Sequence, residues 1–364
     1  MAAATAAQVR REQVLAARVH LHELDSASLG RQDADVLDLG VQDTGPDGHR
    51  WALASRGARP DADALFLAWT LRGAPHAYRR SQAAAVAAAL APWSERDAAK
   101  RIFDAARPLK AAGIPVLDAL GRIAAEMRDI ATSPVVKGEM SAELTARLPE
   151  PFRRWCNPCQ MIHLYEQPFR LAALQGGLEL VPGTSPPVLR RIPQWRGAAR
   201  IVEPALDPLR GALHFLGPST PKLVAAFVDA PLADVKERWP EDVVPDALEG
   251  QMCSVLEGDL SALLEPPDVS SVRRLLGPFD LFLQGRDRDL LVPDDVSRKD
   301  LWRTIGRPGA VLVGHEILGS WRPRASGKKL RIALNPWSRL PDLTDEAERL
   351  AAFRGLTFDG FVDS

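Results

Sequence analysis

Apolar residues recur at helical spacing near the start of the chain and then change their period. A pattern that includes Leu15 and Val19 predicts a helix over residues 9–24, and a shorter helix fits residues 32–39. Short strands are predicted next, over residues 51–54 and 65–69. Helices followed by a two-stranded ribbon are typical of the winged helix, a variant of the helix-turn-helix fold.

This order of elements returns in weaker form along the chain. Further helices are predicted over residues 96–106, 116–130, 141–148, 207–217, 221–229 and 235–239. Strands are then predicted over residues 279–283, 310–313, 317–322 and 329–334, before a last helix over residues 345–353. We therefore expect an α+β protein with four domains. Three are tandem winged helices and the fourth is rich in β-structure: residues 1–95, 96–203, 204–270 and 271–364.

The charges nearly cancel over the whole chain but are unevenly distributed. There are 46 basic and 47 acidic residues, a net charge of −1, which excludes a uniformly basic coat. Residues 298–331 nevertheless carry nine basic and two acidic residues, and residues 190–200 carry four arginines and no acid. Residues 229–268 carry 11 acids and two bases. Separated basic stretches of this kind indicate a surface that binds a polyanion.

Cysteine content and hydropathy bear on the compartment. Three cysteines in 364 residues are too few for a disulfide framework, so we expect a reducing cytoplasm. The longest apolar run, residues 83–91, is mostly alanine and too short to span a bilayer, so no membrane is expected as a partner.

Several segments resemble the AlkZ-like winged-helix DNA glycosylases, and they occur in that family's order over nearly the whole chain. They are LGVQDT at 39–44, WTLRGAPH at 69–76, LGPFD at 276–280, RDR at 286–288 and GHEILGSWR at 314–322. The resemblance implies a C-terminal β-barrel over residues 271–364 and tandem winged helices that form a C-shaped cleft for DNA. It also implies a DNA-repair hydrolase that excises alkylated bases or unhooks interstrand crosslinks.

The function predicted from the resemblance is N-glycosidic hydrolysis in double-stranded DNA. We expect a cytoplasmic, nucleoid-associated monomer that needs neither a cofactor nor a metal. The alternative is a non-catalytic, regulatory DNA-binding protein with the same fold.

The residues that correspond to the family's catalytic positions are Gln42, Asp43 and Thr44. The family carries a Gln, an apolar residue, and then a Gln or Asp. Gln42 matches the first position, Thr44 stands at the third, and acidic Asp43 fills the apolar position. A shift of one residue would let Asp43 take the second polar role. A different interpretation is that residues 43–47 only form a capped turn before the ribbon.

Basic residues near the predicted wings and in the basic stretches are the candidates for DNA contact, because most protein–DNA hydrogen bonds go to the phosphate backbone. They are Arg72, His76, Arg79, Arg80, Arg190, Arg191, Arg196, Arg200, Arg322, Arg324 and Lys328.

One motif could belong to a metal site. Cys156, Cys159 and His163 have the spacing Cys-x2-Cys-x3-His, which supplies three zinc ligands. A fourth is not fixed by spacing, with His214, Cys253 or a carboxylate as candidates. We favour a buried thiol pair in a helix–helix contact and predict no zinc. The common nucleotide, zinc-protease and serine-hydrolase motifs do not occur.

Overall fold

The computed structural model describes residues 7–26, 28–45 and 47–363, which form a mixed α+β fold. The helices are α1 (Arg11–Leu21), α2 (Gly48–Ser55), α3 (Ala83–Leu90), α4 (Glu95–Arg101), α5 (Ala106–Ala111), α6 (Val116–Ile130), α7 (Lys137–Arg147), α8 (Glu166–Gln175), α9 (Pro208–Leu216), α10 (Pro221–Val228), α11 (Leu232–Glu237), α12 (Leu260–Leu264), α13 (Arg288–Leu291), α14 (Asp295–Leu301) and α15 (Thr344–Phe353).

The strands form several sheets. They are β1 (Ala7–Val9), β2 (Val41–Gln42), β3 (Leu65–Trp69), β4 (Pro75–Arg79), β5 (Val135–Val136), β6 (Arg153–Cys156), β7 (Met161–Leu164), β8 (Leu178–Leu180), β9 (Val188–Arg191), β10 (Val243–Leu248), β11 (Gln251–Leu256), β12 (Arg273–Leu276), β13 (Gly309–Val313), β14 (Glu316–Ser326), β15 (Lys329–Pro336) and β16 (Thr357–Asp363). The sheet orders are β1-β10-β11, β2-β4-β3-β8-β9-β5, β6-β7 and β12-β13-β14-β15-β16.

One arrangement of elements recurs three times. A short extended segment is followed by one or two helices and a hairpin, and it pairs with the second strand of that hairpin. These pairs are β2 with β4, β5 with β9, and Ser219 with Ser254 of β11. The first two hairpins join in one sheet where Leu67 pairs with Leu180. This sheet contains strands from both sides of the domain boundary predicted at residue 95. The division into domains stays a prediction.

The C-terminal sheet is open, so the closed β-barrel predicted for residues 271–364 is wrong for the described part of the chain. Its edge strands are β12 and β16, and β16 runs parallel to β15 after the chain passes through α15. On the free edge of β12, side chains take the place of a neighbouring strand and form hydrogen bonds with the backbone. The Glu346 carboxylate accepts from the Leu275 N–H at 3.1 Å, and the Trp51 indole N–H donates to the Leu275 carbonyl at 2.7 Å.

Several predicted elements are confirmed, including α6, α9, α10 and α15, and the strands β3, β13, β14 and β15. The strands predicted at 51–54 and 279–283 are wrong: the first lies in α2, and the second contains a 3-10 turn, Leu281–Leu283. Residues 51–54 are buried throughout, and so are residues 280–283. A short run of buried residues carries no period that separates helix from strand. The helix predicted at 32–39 is reduced to the 3-10 turn Asp35–Leu37.

Helix α2 joins the N-terminal half of the molecule to the C-terminal sheet. Its Trp51 packs with Leu275, Trp321 and the apolar face of α15. Just beyond α2, Arg56 forms an ion pair with Asp280 at 2.8 Å, and both side chains are fully buried. These contacts hold the end of β2 beside residues 277–284. Within the described residues, no helix is long and apolar enough to cross a membrane.

Candidate active site

The predicted catalytic run begins at β2, whose position depends on Gly40. This glycine has φ +88°, and a Cβ built on it would lie 2.3 Å from the ring of Tyr78. Only glycine fits so close an approach with a positive φ. Strand β2 then pairs with β4, and the Asp43 N–H donates to the Pro75 carbonyl at 2.8 Å.

The extended backbone separates the three predicted catalytic residues, since successive side chains point to opposite faces. Gln42 and Thr44 lie together: the Gln42 amide donates from Nε2 to Thr44 Oγ1 at 2.9 Å. Both line a cavity of about 160 Å³ between α2 and the C-terminal sheet. Asp43 instead lines a separate groove with His49. Pro46, part of the predicted turn, lies outside the described residues.

Asp43 is held by the start of α2. Its Oδ1 accepts hydrogen bonds from His49 Nδ1 at 2.8 Å and from the His49 backbone N–H at 3.3 Å. Burial raises the pKa of Asp43, but the hydrogen bonds and charge of His49, with the charge of Arg50, outweigh it and lower the pKa below its usual value. The carboxylate is therefore ionised at neutral pH, and its Oδ1 is already hydrogen-bonded to His49.

The cavity that Gln42 and Thr44 line has aromatic and basic walls. The aromatic side chains are those of Trp51, Phe279 and Trp321, and the basic ones are those of Arg307, Arg322 and Arg354. Each lining carboxylate has a basic partner, because Asp47 pairs with Arg354 and Asp280 pairs with Arg56. The cavity thus offers amide, hydroxyl and guanidinium groups, but no unpaired carboxylate among the described residues.

Gln284 is a functional candidate that the sequence did not reveal. Its Nε2 donates to Gln42 Oε1 at 3.0 Å and to the Phe279 carbonyl at 2.8 Å, while its Oε1 accepts from Arg72. Arg72 also donates to the Phe227 carbonyl. This chain of hydrogen bonds fixes which end of the Gln42 amide faces Thr44. The only sequence signal was the place of Gln284 between two segments that resemble the family.

Four arginines gather beside this network: Arg72, Arg286, Arg288 and Arg307. Burial, followed by repulsion from the other arginines, lowers the pKa of Arg72 and of Arg307 to about 10. In the described part of the chain, none of the four has a carboxylate oxygen within 4.0 Å of its guanidinium. Like charges held together without close partners favour a bound anion. We call these four residues the arginine cluster.

The predicted DNA-contact residues near the first hairpin are mostly engaged inside the protein. His76 is 2% exposed, its Nδ1 lies 2.9 Å from Thr70 Oγ1, and burial together with Arg72 lowers its pKa to about 3. A neutral, buried imidazole gives a phosphate nothing to bind. Arg79 is paired with Asp33 and Asp38. Arg80 and Arg190 both pair with the buried carboxylate of Glu179.

The remaining candidates lie at different places on the surface. Arg322 reaches the cavity of Gln42, whereas Arg196 and Arg80 line a second groove. Exposed side chains are those of Arg191, Arg196, Arg200, Arg324 and Lys328. The DNA-contact assignment of these residues stays a prediction.

The three candidate zinc ligands do come together. Cys156, Cys159 and His163 lie on the β6-β7 hairpin, with ligand atoms within 4.8 Å of one another. Cys159 is exposed and Cys156 is half-exposed. The buried thiol pair in a helix–helix contact is therefore wrong, because these cysteines lie on a solvent-facing hairpin.

Comparison with known proteins agrees with this architecture. The family model described as DNA glycosylase AlkZ-like matches residues 29–353. Among solved structures, the chain is similar to Streptomyces sahachiroi DNA glycosylase AlkZ, with a TM-score of 0.72 and 18% identity, over 98% of this chain and 100% of that one. None of the curated proteins matches. The chain belongs to the AlkZ-like DNA glycosylase family.

Proposed function

We propose that this protein is a DNA glycosylase that hydrolyses the N-glycosidic bond of alkylated or crosslinked purines in double-stranded DNA. The observation that carries the proposal is the Gln42–Thr44 pair on the cavity wall, oriented by Gln284 and flanked by the arginine cluster. Family membership supports the same reaction class.

The chemistry that these groups support is water positioning. After its bonds to Gln284 and Thr44, the Gln42 amide keeps one N–H donor and one acceptor lone pair. Those two groups can hold a water against the anomeric carbon. The Thr44 hydroxyl accepts from Gln42, so its own proton is free to donate. The arginine cluster stabilises negative charge on phosphates and on the departing base.

We also infer that the three recurring units are winged helices that engage duplex DNA. The support is topological: in each unit a short extended segment precedes the helices and pairs with the second strand of the following hairpin. The second unit carries an insertion, the β6-β7 hairpin, between α7 and α8. We propose that the enzyme works on chromosomal DNA as a monomer and without a cofactor.

The test is excision from duplex DNA that carries methylated purines, read as strand cleavage by alkali at abasic sites. Gln42→Ala is expected to lower the excision rate by about 10²-fold or more while leaving DNA affinity unchanged, because losing the position of a reactant costs about that much. Gln251→Ala, an exposed glutamine on β11, is the matched control and should match the wild type. Asp43→Asn distinguishes the two registers: if Thr44 is the second polar group, this variant keeps most of its rate.

One observation favours the alternative, a non-catalytic DNA-binding protein. The cavity holds no unpaired carboxylate among the described residues, because arginines occupy Asp47 and Asp280. If the wild type binds duplex DNA but leaves every methylated purine and crosslink intact, the alternative replaces the glycosylase proposal.

A further inference from the structure

The β6-β7 hairpin carries a side-chain cluster that the proposed reaction does not use. We propose that Cys156, Cys159 and His163 bind one zinc ion per chain, at a site that is independent of base excision. This proposal replaces the expectation from sequence that the chain binds no metal.

The spacing of the ligand atoms fits a zinc ion. Zinc bonds are about 2.3 Å to sulfur and about 2.0–2.1 Å to nitrogen, so tetrahedral ligands lie about 3.4–3.8 Å apart. The Sγ atoms of both cysteines and the His163 ring nitrogen already lie within 4.8 Å of one another. Small side-chain rotations on an exposed hairpin close that difference.

The hairpin turn has the local geometry that brings two cysteines together. Cys156 ends β6 and pairs with Met161, the first residue of β7, so Cys159 lies within the four-residue connection. Gln160, directly after Cys159, adopts φ +51°. The chain reverses within this turn, and the Cys156 and Cys159 sulfur atoms lie within 4.8 Å of each other.

His163 is oriented by the backbone. Its Nδ1 lies 3.0 Å from the Leu164 carbonyl oxygen, so Nδ1 carries the proton and donates, and Nε2 keeps its lone pair. Zinc-bound histidines almost always donate their other ring N–H to a carbonyl or carboxylate in this way.

The donor set and the setting select zinc. Two thiolates and one imidazole are softer ligands than Mg²⁺ or Ca²⁺ prefer. Cys159 is exposed, so solvent water can reach the fourth tetrahedral position. The hairpin has only four residues per strand, and its Trp155, Met161 and Ile162 are each more than half exposed. Because such a short hairpin has little stability of its own, a metal that joins its turn to β7 adds to its order.

The test uses the full chain, purified under reducing conditions, stripped with a chelator and titrated with Zn²⁺ against a chromophoric competitor. We expect one zinc per chain by elemental analysis. Cys156→Ser and Cys159→Ser should each weaken zinc affinity by more than about 100-fold, since loss of an outer partner alone costs about 10–100-fold. Cys253→Ser is the matched control and should bind like the wild type, because that half-buried thiol lies on β11 and donates to the Asp246 carbonyl.

Titration with Co²⁺ gives a second measurement, because the absorption spectrum of the bound ion reports the ligands directly and not the stability of the protein. The wild type and Cys253→Ser should show thiolate-to-cobalt charge-transfer absorption together with tetrahedral d–d bands, and His163→Gln should weaken both. No zinc above the level of Cys156→Ser, or half an equivalent that bridges two chains, would overturn the proposal. Circular dichroism of each variant shows whether it is folded, so loss of the fold is not mistaken for loss of a ligand.

Discussion

Gln42 owes its orientation to residues from three separate segments of the chain. Gln284 is 242 positions away, and its Nε2 donates to the side-chain oxygen Oε1 of Gln42. Arg72 in turn donates to Oε1 of Gln284 and so fixes that amide. Thr44 accepts from the other end of Gln42. A side-chain amide without such partners would rotate between its two orientations, and any water bound to it would move with it.

Gln284 is therefore expected to act as a positioning residue. Gln284→Ala should lower the single-turnover excision rate about 10–100-fold, because small displacements of a catalytic group carry costs of that order. Duplex affinity, measured by anisotropy, should change little. Gln284→Asn, which keeps the amide on a shorter side chain, should recover part of the rate. Equal loss of affinity and rate in the Ala variant would show that Gln284 binds DNA or supports the fold instead.

Two buried histidines should make stability depend on pH. Burial, with Arg56 and Arg72 respectively, lowers the pKa of His22 and of His76 from 6.5 to about 3. Between those values the folded chain keeps both rings neutral while the unfolded chain protonates them. Stability therefore falls as pH drops below about 6.5, and the loss ends near pH 3. At pH 5 the expected loss is about 2 kcal/mol for each histidine.

Urea unfolding at pH 7 and at pH 5 checks this expectation. His22→Gln keeps a hydrogen-bonding side chain opposite the Phe215 carbonyl and should reduce the difference between the two pH values by about 2 kcal/mol. Gln251→Ala, which changes an exposed side chain on β11 and removes no titratable group, is the control and should leave that difference intact. An unchanged difference in His22→Gln would mean that His22 takes up a proton inside the fold.

At the scale of elements, some helices and strands follow from the local sequence pattern and others form only through tertiary contacts. Helix α6 was predictable because its apolar residues form one buried stripe, including Leu120, Ile123 and Met127. Helix α2 was not, because its residues 51–55 are all buried, whatever face they occupy. The two-residue strand β2 exists only through its pairing with β4.

Gly40 should be the most sensitive backbone position of this region. Gly40→Ala is expected to cost more than about 2 kcal/mol in unfolding free energy, because strain at φ +88° adds to a clash with the buried ring of Tyr78. Excision should fall as well, since β2 carries Gln42. Gly45→Ala is the control: it has φ +87° with open space around it and should cost only about 1 kcal/mol. If chemical denaturation shows the same loss of unfolding free energy for Gly40→Ala and Gly45→Ala, then the clash with Tyr78 does not contribute.

At the scale of the whole molecule, folding brings charged residues from distant segments together, so the charge of a segment does not give the charge of the surface around it. Acids of the 229–268 stretch pair with basic residues elsewhere, as Asp234 does with Arg96 and Asp242 with Arg210. The arginine cluster, by contrast, combines residues from distant segments and has no close acidic partner among the described residues. Net charge along the chain therefore says less about where a polyanion could bind than the location of arginines without a carboxylate partner does.

Salt dependence of duplex binding should report on this cluster. Each neutralised phosphate contributes about −0.9 to the slope of log affinity against log salt, so Arg286→Ala and Arg307→Ala should each reduce the steepness by about 0.9. Arg210→Ala, whose guanidinium forms two hydrogen bonds with Asp242, should leave the slope unchanged. If all three variants keep the wild-type slope in binding isotherms over a salt series, the cluster does not contact phosphate.

The sequence by itself determined the α+β class, the family and most of the long helices, and it predicted Gln42 as a candidate site residue, because these depend on local period and short motifs. Only the tertiary structure decided that the C-terminal sheet stays open, that Asp43 faces away from Gln42, and that Gln284 joins the site. It also brought Cys156, Cys159 and His163 together on a hairpin. The physical reason is common to all of these: strand pairing sets which way a side chain points, and contacts across hundreds of residues set what it meets there.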